Sequence, residues 1–202
     1  MSPAASFYFD LSSPEAYMAA ERILHVLPGP AEWQPVLARD LGGGGRPDAL
    51  CGEESREGLR AELSRRVEEL SLQPLRLPDT FPFDSALAMR AATYAKSIGR
   101  TVPFAQAAFR QAFAGGHGLD QLDHVLIAAA ACEMHPSAVI AALEMRSVED
   151  RLSQCTARAS RAGVLGVPAV LVGDTVFHGE RAIEDAALHM RGERLAGRGL
   201  PG

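Results

Sequence analysis

Ser6-Phe7-Tyr8-Phe9-Asp10-Leu11-Ser12-Ser13-Pro14-Glu15-Ala16-Tyr17 is the stretch on which the reading of this chain turns. Ser6 to Leu11 is aromatic-rich and too short for a helix, which suits a buried strand. Ser12-Ser13-Pro14-Glu15 then opens a helix. A serine caps it, proline fits the first turn, and the early glutamate complements the helix dipole. Ser12 with Glu15 also matches the capping-box pattern Ser-x-x-Glu. Tyr17, Met18, Ala20, Ile23, Leu24 and Leu27 continue at helical spacing until Pro28-Gly29-Pro30 stops them. Glu32 to Ala38 reads as a second strand, with Pro35 pointing to an edge position and Trp33 to packing on the sheet. The opening segment is therefore a βαβ unit.

Working outward, the rest of the chain sorts into two kinds of segment. Leu41 to Pro47, with four glycines at 42–45, is a loop; no GK[ST] or GxGxxG pattern makes it a phosphate cradle. Helical periodicity predicts Glu53–Leu70, Asp84–Ile98, Pro103–Ala114, Leu119–Ala131, Pro136–Leu143 and Val148–Ala162. Ala169 to Val172, Gly173-Asp174 and Thr175 to Phe177 then form a hairpin, and a last amphipathic helix runs from Glu180. The order is βαβ, an all-helical block, then ββα, so one sheet is interrupted by an insertion. Residues 1–40 and 164–202 are expected to form the sheet domain, with 41–163 as linker and inserted helices.

Composition restricts the function classes. The chain has 202 residues, 47% hydrophobic and 22% charged, with a formal net charge of −5. That length is ample for a sizeable core, and the mild acidity argues against a nucleic-acid partner. No run of about 18 apolar residues predicts a membrane span, and Met1 to Ala5 lack a secretory n-region. Cys51, Cys132 and Cys155 form neither a CxxC nor a metal-ligand spacing, so no zinc site or disulfide framework is expected. His117, His124 and His135 have no metal spacing either, and Asp120, Asp123 and His124 read as caps and surface. Cys155 follows a polar helical stretch and is expected to be exposed. A cytoplasmic protein is the expectation.

Two distant segments, Phe7 to Tyr17 and Gly163-Val164-Leu165-Gly166-Val167-Pro168, together resemble the DsbA-like branch of the thioredoxin superfamily. The resemblance implies a thioredoxin-like α/β fold, with Ser13-Pro14-Glu15-Ala16 in the place of the Cys-Pro-x-Cys dithiol. Without either cysteine, thiol–disulfide exchange has no residues to run on. Phe-Tyr-Phe-Asp-x-x-Ser-Pro is similar to the start of 2-hydroxychromene-2-carboxylate isomerases and kappa-class glutathione transferases, where that serine contacts the glutathione sulfur. The physical logic stands beside the resemblance. A thiol of pKa about 8.5 is mostly protonated at neutral pH, and a helix N-terminus favours its anion. Ser13 is thus either a plain helix cap or the stabiliser of a bound thiolate.

The resemblance also implies a cis Val167-Pro168 bond, with the Val167 backbone pairing with an extended peptide such as glutathione or another small thiol. In Phe177-His178-Gly179-Glu180-Arg181, Glu180 takes the place of an aspartate that holds the γ-glutamyl ammonium. The Gly179 amide is the expected donor to its carboxylate, and His178 replaces a usual glycine. Glu180 equally suits a favourable acid in a first helical turn. The lysine usual near Ser55 or Arg56 is absent, leaving Arg56 as its substitute if its fork reaches. After Phe81-Pro82, Asp84 to Arg90 lacks the family's asparagine and histidine, and Asp84 reads as an N-cap. The implied function is a glutathione- or thiol-dependent isomerase or transferase acting on a small aromatic-derived substrate, in a homodimer. The alternative is a redox-inactive, DsbA-like protein that binds peptides in the same groove.

Overall fold

The computed structural model describes residues 5–43 and 53–192. The readings of Gly44, Gly45 and Cys51 lie outside those residues. Four strands form one sheet in the order β2-β1-β3-β4: β1 (Ala5–Phe9), β2 (Ala31–Pro35), β3 (Ala169–Val172) and β4 (Thr175–His178). β1 pairs parallel with β2 and antiparallel with β3, and β3 pairs antiparallel with β4. β1 is central and covered on both faces, which is why its sequence is apolar without alternation. Phe7 and Phe9 enter the main core, while Tyr8 points into a smaller cluster with Val36, Cys155, Val164 and Ala169.

Helix α1 (Pro14–Val26) links β1 to β2. The insertion supplies α2 (Glu53–Glu69), α3 (Ala86–Ser97), α4 (Thr101–Phe113), α5 (Leu122–Ala130), α6 (Pro136–Glu144) and α7 (Arg146–Arg161). α8 (Ala182–Met190) closes the described chain. Buried Ala88, Ala91, Ala92 and Ala95 keep α3 slim, and it packs against α4, α6 and α7. Phe109 of α4 joins helices to sheet: its ring lies 6.0 Å from Phe9, 6.2 Å from Tyr17 and 6.4 Å from Phe113. Trp33 packs on the sheet as expected, edge-on to Phe7 at 4.9 Å.

β2 is an edge strand, as Pro35 predicted, but it ends there and not at Ala38. Side chains redirect the chain at this point. Leu37 donates its amide to Thr156 Oγ1 at 3.0 Å, and Ala38 donates to Asp10 Oδ2 at 2.8 Å. A 3-10 turn over Ala38–Asp40 follows. Gly43 donates to the Leu165 carbonyl at 2.8 Å, and a Cβ there would stand 2.3 Å from that oxygen. The approach therefore requires glycine, so at least this part of the Gly-rich stretch is anchored.

Cys155 is buried, at 8% exposure, which corrects the expectation that it is exposed. Val148, Leu152, Cys155 and Ala159 recur at helical spacing and form the apolar stripe of α7. Burial pushes the Cys155 thiol above its ordinary value, against the opposing pull of Lys96 and Arg158. Cys132 is raised by burial as well, against Arg100. A raised thiol pKa means less thiolate at neutral pH, with reactivity growing as pH climbs beyond the usual value of about 8.5. Peptide-resolved maleimide labelling of the native protein at neutral pH is expected to be at least about tenfold slower at both thiols than in urea. Equal rates would refute this account of their burial.

Candidate functional site

The end of β1 and the start of α1 carry a compact hydrogen-bonded turn. Asp10 is only 2% exposed, and its carboxylate binds three donors. Oδ1 accepts from the Ser12 amide and the Ser12 hydroxyl, both at 2.9 Å, and Oδ2 accepts from Ala38. The Asp10 carbonyl accepts from the Ser13 amide at 3.1 Å. One buried residue thus fixes the Ser12-Ser13 turn against the chain leaving β2.

Ser13, and not Ser12, caps α1. Its Oγ accepts from the Ala16 amide and donates to Glu15 Oε2, each at 3.1 Å. The capping box expected from Ser12 and Glu15 is therefore not formed. Pro14 is the first helical residue, so the cap falls at Ser13 and the third helical position at Ala16.

Val167-Pro168 is cis, as is Phe81-Pro82. Ser13, Val167, Pro168, Gly179 and Glu180 all line one cavity of about 490 Å³. Ser13 lies far in sequence from the other four, and the β1–β3 pairing brings it to them. Gly179 adopts a φ of +79°, a backbone conformation that favours glycine. Its amide donates to the Pro168 carbonyl at 3.2 Å. His178 accepts the Leu165 amide on Nε2 at 3.1 Å and ties β4 to the loop before Pro168.

Arg56 does not line the cavity. Its guanidinium donates to the carbonyl of Phe81, a wall residue. Arg66 of the same helix reaches in instead, donating through Nη2 to Glu180 Oε2 at 2.6 Å. Arg39 also lines the cavity and pairs with Asp84 at 2.7 Å. Asp84 accepts from the Ala86 amide at 2.9 Å, yet the cap position of α3 is Ser85, which corrects the reading of Asp84 as the N-cap. Asp10, Arg39, Glu62 and Arg66 are lining residues that the sequence did not single out. No cysteine among the described residues lines the cavity.

Elsewhere, the His117 and His124 rings lie 5.1 Å apart, with His124 Nδ1 2.7 Å from the Gly118 carbonyl. Among the described residues no cluster of His, Cys, Asp or Glu is placed to hold a metal ion. No described helix is long and apolar enough to cross a membrane.

A thioredoxin-like sheet, a capped helix after β1 and a cis proline before β3 are the elements against which similarity can be judged. The profile of the DSBA-like thioredoxin domain matches residues 5–191. The chain belongs to that family. Among curated proteins no sequence matches it. Solved structures do. A 2-hydroxychromene-2-carboxylate isomerase superposes with a TM-score of 0.81 at 18% identity, over 93% of this chain and 95% of that one. A probable DsbA oxidoreductase from Streptomyces coelicolor gives 0.74 at 16% identity, over 98% and 94%. The cytosolic disulfide reductase DsbM from Pseudomonas aeruginosa, solved with GSH, gives 0.62 at 14% identity, over 94% and 96%. At such identities the likeness is one of fold. This DSBA-like protein keeps the family's architecture.

Proposed function

We propose that this DSBA-like protein is a glutathione-dependent (or related small-thiol-dependent) isomerase or transferase acting on a small, unsaturated, aromatic-derived substrate. The observation that carries the reading is Ser13, capping α1 in the same cavity as cis-Pro168, with no cysteine among the described residues lining it. A thiolate bound there would supply a nucleophile that adds to the unsaturated substrate, permits bond rotation and leaves again. The chain's part is to make that thiolate affordable at neutral pH. The Ala16 amide and the N-terminal dipole of α1 favour negative charge at the Ser13 hydroxyl. Turning that hydroxyl from Glu15 toward the sulfur adds a donor without giving up the cap.

Val167, Pro168 and Glu180 take the roles that the family likeness assigns. Val167 and Pro168 offer an extended edge to the peptide part of the thiol, and Glu180 faces its ammonium. Gly179 supports this end through Pro168, and Arg56 supports the wall through Phe81. The test is a calorimetric titration of the native protein with reduced glutathione, alongside Ser13→Ala, with ultraviolet detection of thiolate. Saturable binding is expected, with the thiolate absorbance lost in Ser13→Ala. No binding at millimolar glutathione would overturn the glutathione form of the reading and leave another small thiol or a redox-inactive groove for peptides.

A further inference from the structure

Asp84 and Ser85 divide the work at the start of α3. Ser85 holds the cap position, but its backbone is already helical there, with φ −84° and ψ −5°, and its hydroxyl makes no capping bond. Asp84 does that work instead. Its Oδ1 accepts the Ala86 amide at 2.9 Å, and Arg39 offsets its charge at 2.7 Å. The Ser85 hydroxyl is left without a hydrogen bond among the described residues, although Ser85 is only 6% exposed.

A buried hydroxyl without a partner is costly, so it calls for an acceptor that the chain itself does not supply. Among the described residues, Trp33 Nε1, Asp120 Oδ1 and Glu184 Oε2 are the partnerless polar side-chain atoms sealed from solvent. Ser85 Oγ is not one of them, so it opens onto free space. Ser85 lines the cavity that holds Ser13 and cis-Pro168, and that cavity is the space its hydroxyl meets. The surroundings favour negative charge on an acceptor there. α3 is 12 residues long, and the positive end of its dipole lies at Ser85. Phe81, Pro82 and Phe83 are the neighbouring wall, and beside such apolar groups a bond to a charged oxygen is stronger than in water.

We propose that Ser85 is a further catalytic residue, the oxyanion donor for an α,β-unsaturated carbonyl substrate. The inference rests on the thiol-dependent reading above and names the electrophile which that reading leaves open. The thiolate's electron pair forms a carbon–sulfur bond at the β-carbon, and the C=C pair shifts toward the carbonyl carbon. The C=O pair moves onto oxygen, which becomes an enolate and accepts from the Ser85 hydroxyl. The former double bond is now single and rotates. The electrons then return, the carbon–sulfur bond breaks and the thiolate leaves, with no net proton or electron consumed. A donor that holds the enolate oxygen more tightly than the neutral carbonyl stabilises the transition states of both addition and expulsion.

The probe is 4-phenylbut-3-en-2-one, an aryl enone whose carbonyl stretch reports hydrogen bonding without turnover. With no thiol present, infrared spectra of the trans enone should show a lower C=O frequency on the native protein than on Ser85→Ala. Ser85→Thr should keep the native band. With glutathione added, Ser85→Ala should lose at least about tenfold in kcat for isomerisation of the cis enone, with KM within about threefold. Ser85→Thr should recover most of that loss. A merely structural role would leave the bound carbonyl band where it is. If glutathione binds, an enone that does not bind or is not isomerised overturns this inference alone. So does a carbonyl band or a kcat that is the same in Ser85→Ala. No binding of glutathione overturns it together with the thiol-dependent reading.

Discussion

Replacing Asp10 with alanine is expected to destabilise the protein by about 3 kcal/mol, because its buried carboxylate satisfies two backbone amides and a hydroxyl. Bonds to an ionised acceptor are the strong ones, and alanine leaves the Ser12 and Ala38 amides without theirs. Native domains have only about 5–15 kcal/mol to lose, so the change removes a large share of the total. For a chain of this size it corresponds to a fall in Tm of roughly 6–12 °C. Asp10→Asn should fall between, since its NH2 group meets donors on one side. The damage should also be local. Asp10 holds the Ser12-Ser13 turn and the Ala38-Arg39 turn in one arrangement, so glutathione binding should weaken even at temperatures where the variant is folded. Urea unfolding with a parallel titration tests both parts. An Asp10→Ala variant within about 0.5 kcal/mol of the native protein would show that other contacts set this turn.

Much of this architecture was legible because local rules and the fold agree. Ser13-Pro14 marks a helix start by capping chemistry alone, and Gly173-Asp174 marks the hairpin turn between β3 and β4. The cis bond at Pro168 came from the family likeness, since a proline opening a strand is otherwise ordinary. Legibility failed where a side chain's role depends on which turn of a helix meets the cavity. Arg56 and Arg66 lie on one helix, about 15 Å apart along its axis. Nothing in their neighbours' composition says which reaches the site. One signal was present: Leu59 and Leu63 share a face of α2, and Arg66 falls at that spacing. A charge within an apolar stripe implies a partner of opposite charge, here Glu180. Asp10 gave a similar hint as an acid between Phe9 and Leu11, but its partner Ala38 is set by the β1–β2 pairing, which periodicity does not reveal. Cys155 was misjudged for the converse reason, because the polar residues around it hid the stripe from Val148 to Ala159.

Ser13→Cys is expected to yield a thiol of strongly depressed pKa, within the range of about 3.5–7.5 found for cysteines at helix N-termini. Two opposing influences act at this position. The Ala16 amide points at the Ser13 oxygen from 3.1 Å, and the dipole of α1 adds to it. Glu15 Oε2 stands 3.1 Å away on the other side and would repel a thiolate. The amide is fixed by the helix and the dipole acts with it, so the favourable influence should win. Glu15→Gln in the same background should lower the pKa further, which measures the repulsion directly. The thiolate should attack glutathione disulfide, forming one protein–glutathione disulfide and releasing one glutathione thiolate. The reaction should stop there, because Ala16 stands where the dithiol's second cysteine would resolve it. Mass spectrometry of the native-state reaction and the pH dependence of alkylation report both effects. A new thiol that titrates at or above about 8.5 would show that the N-terminus of α1 does not stabilise sulfur anions, and would remove the physical basis for thiolate activation at Ser13.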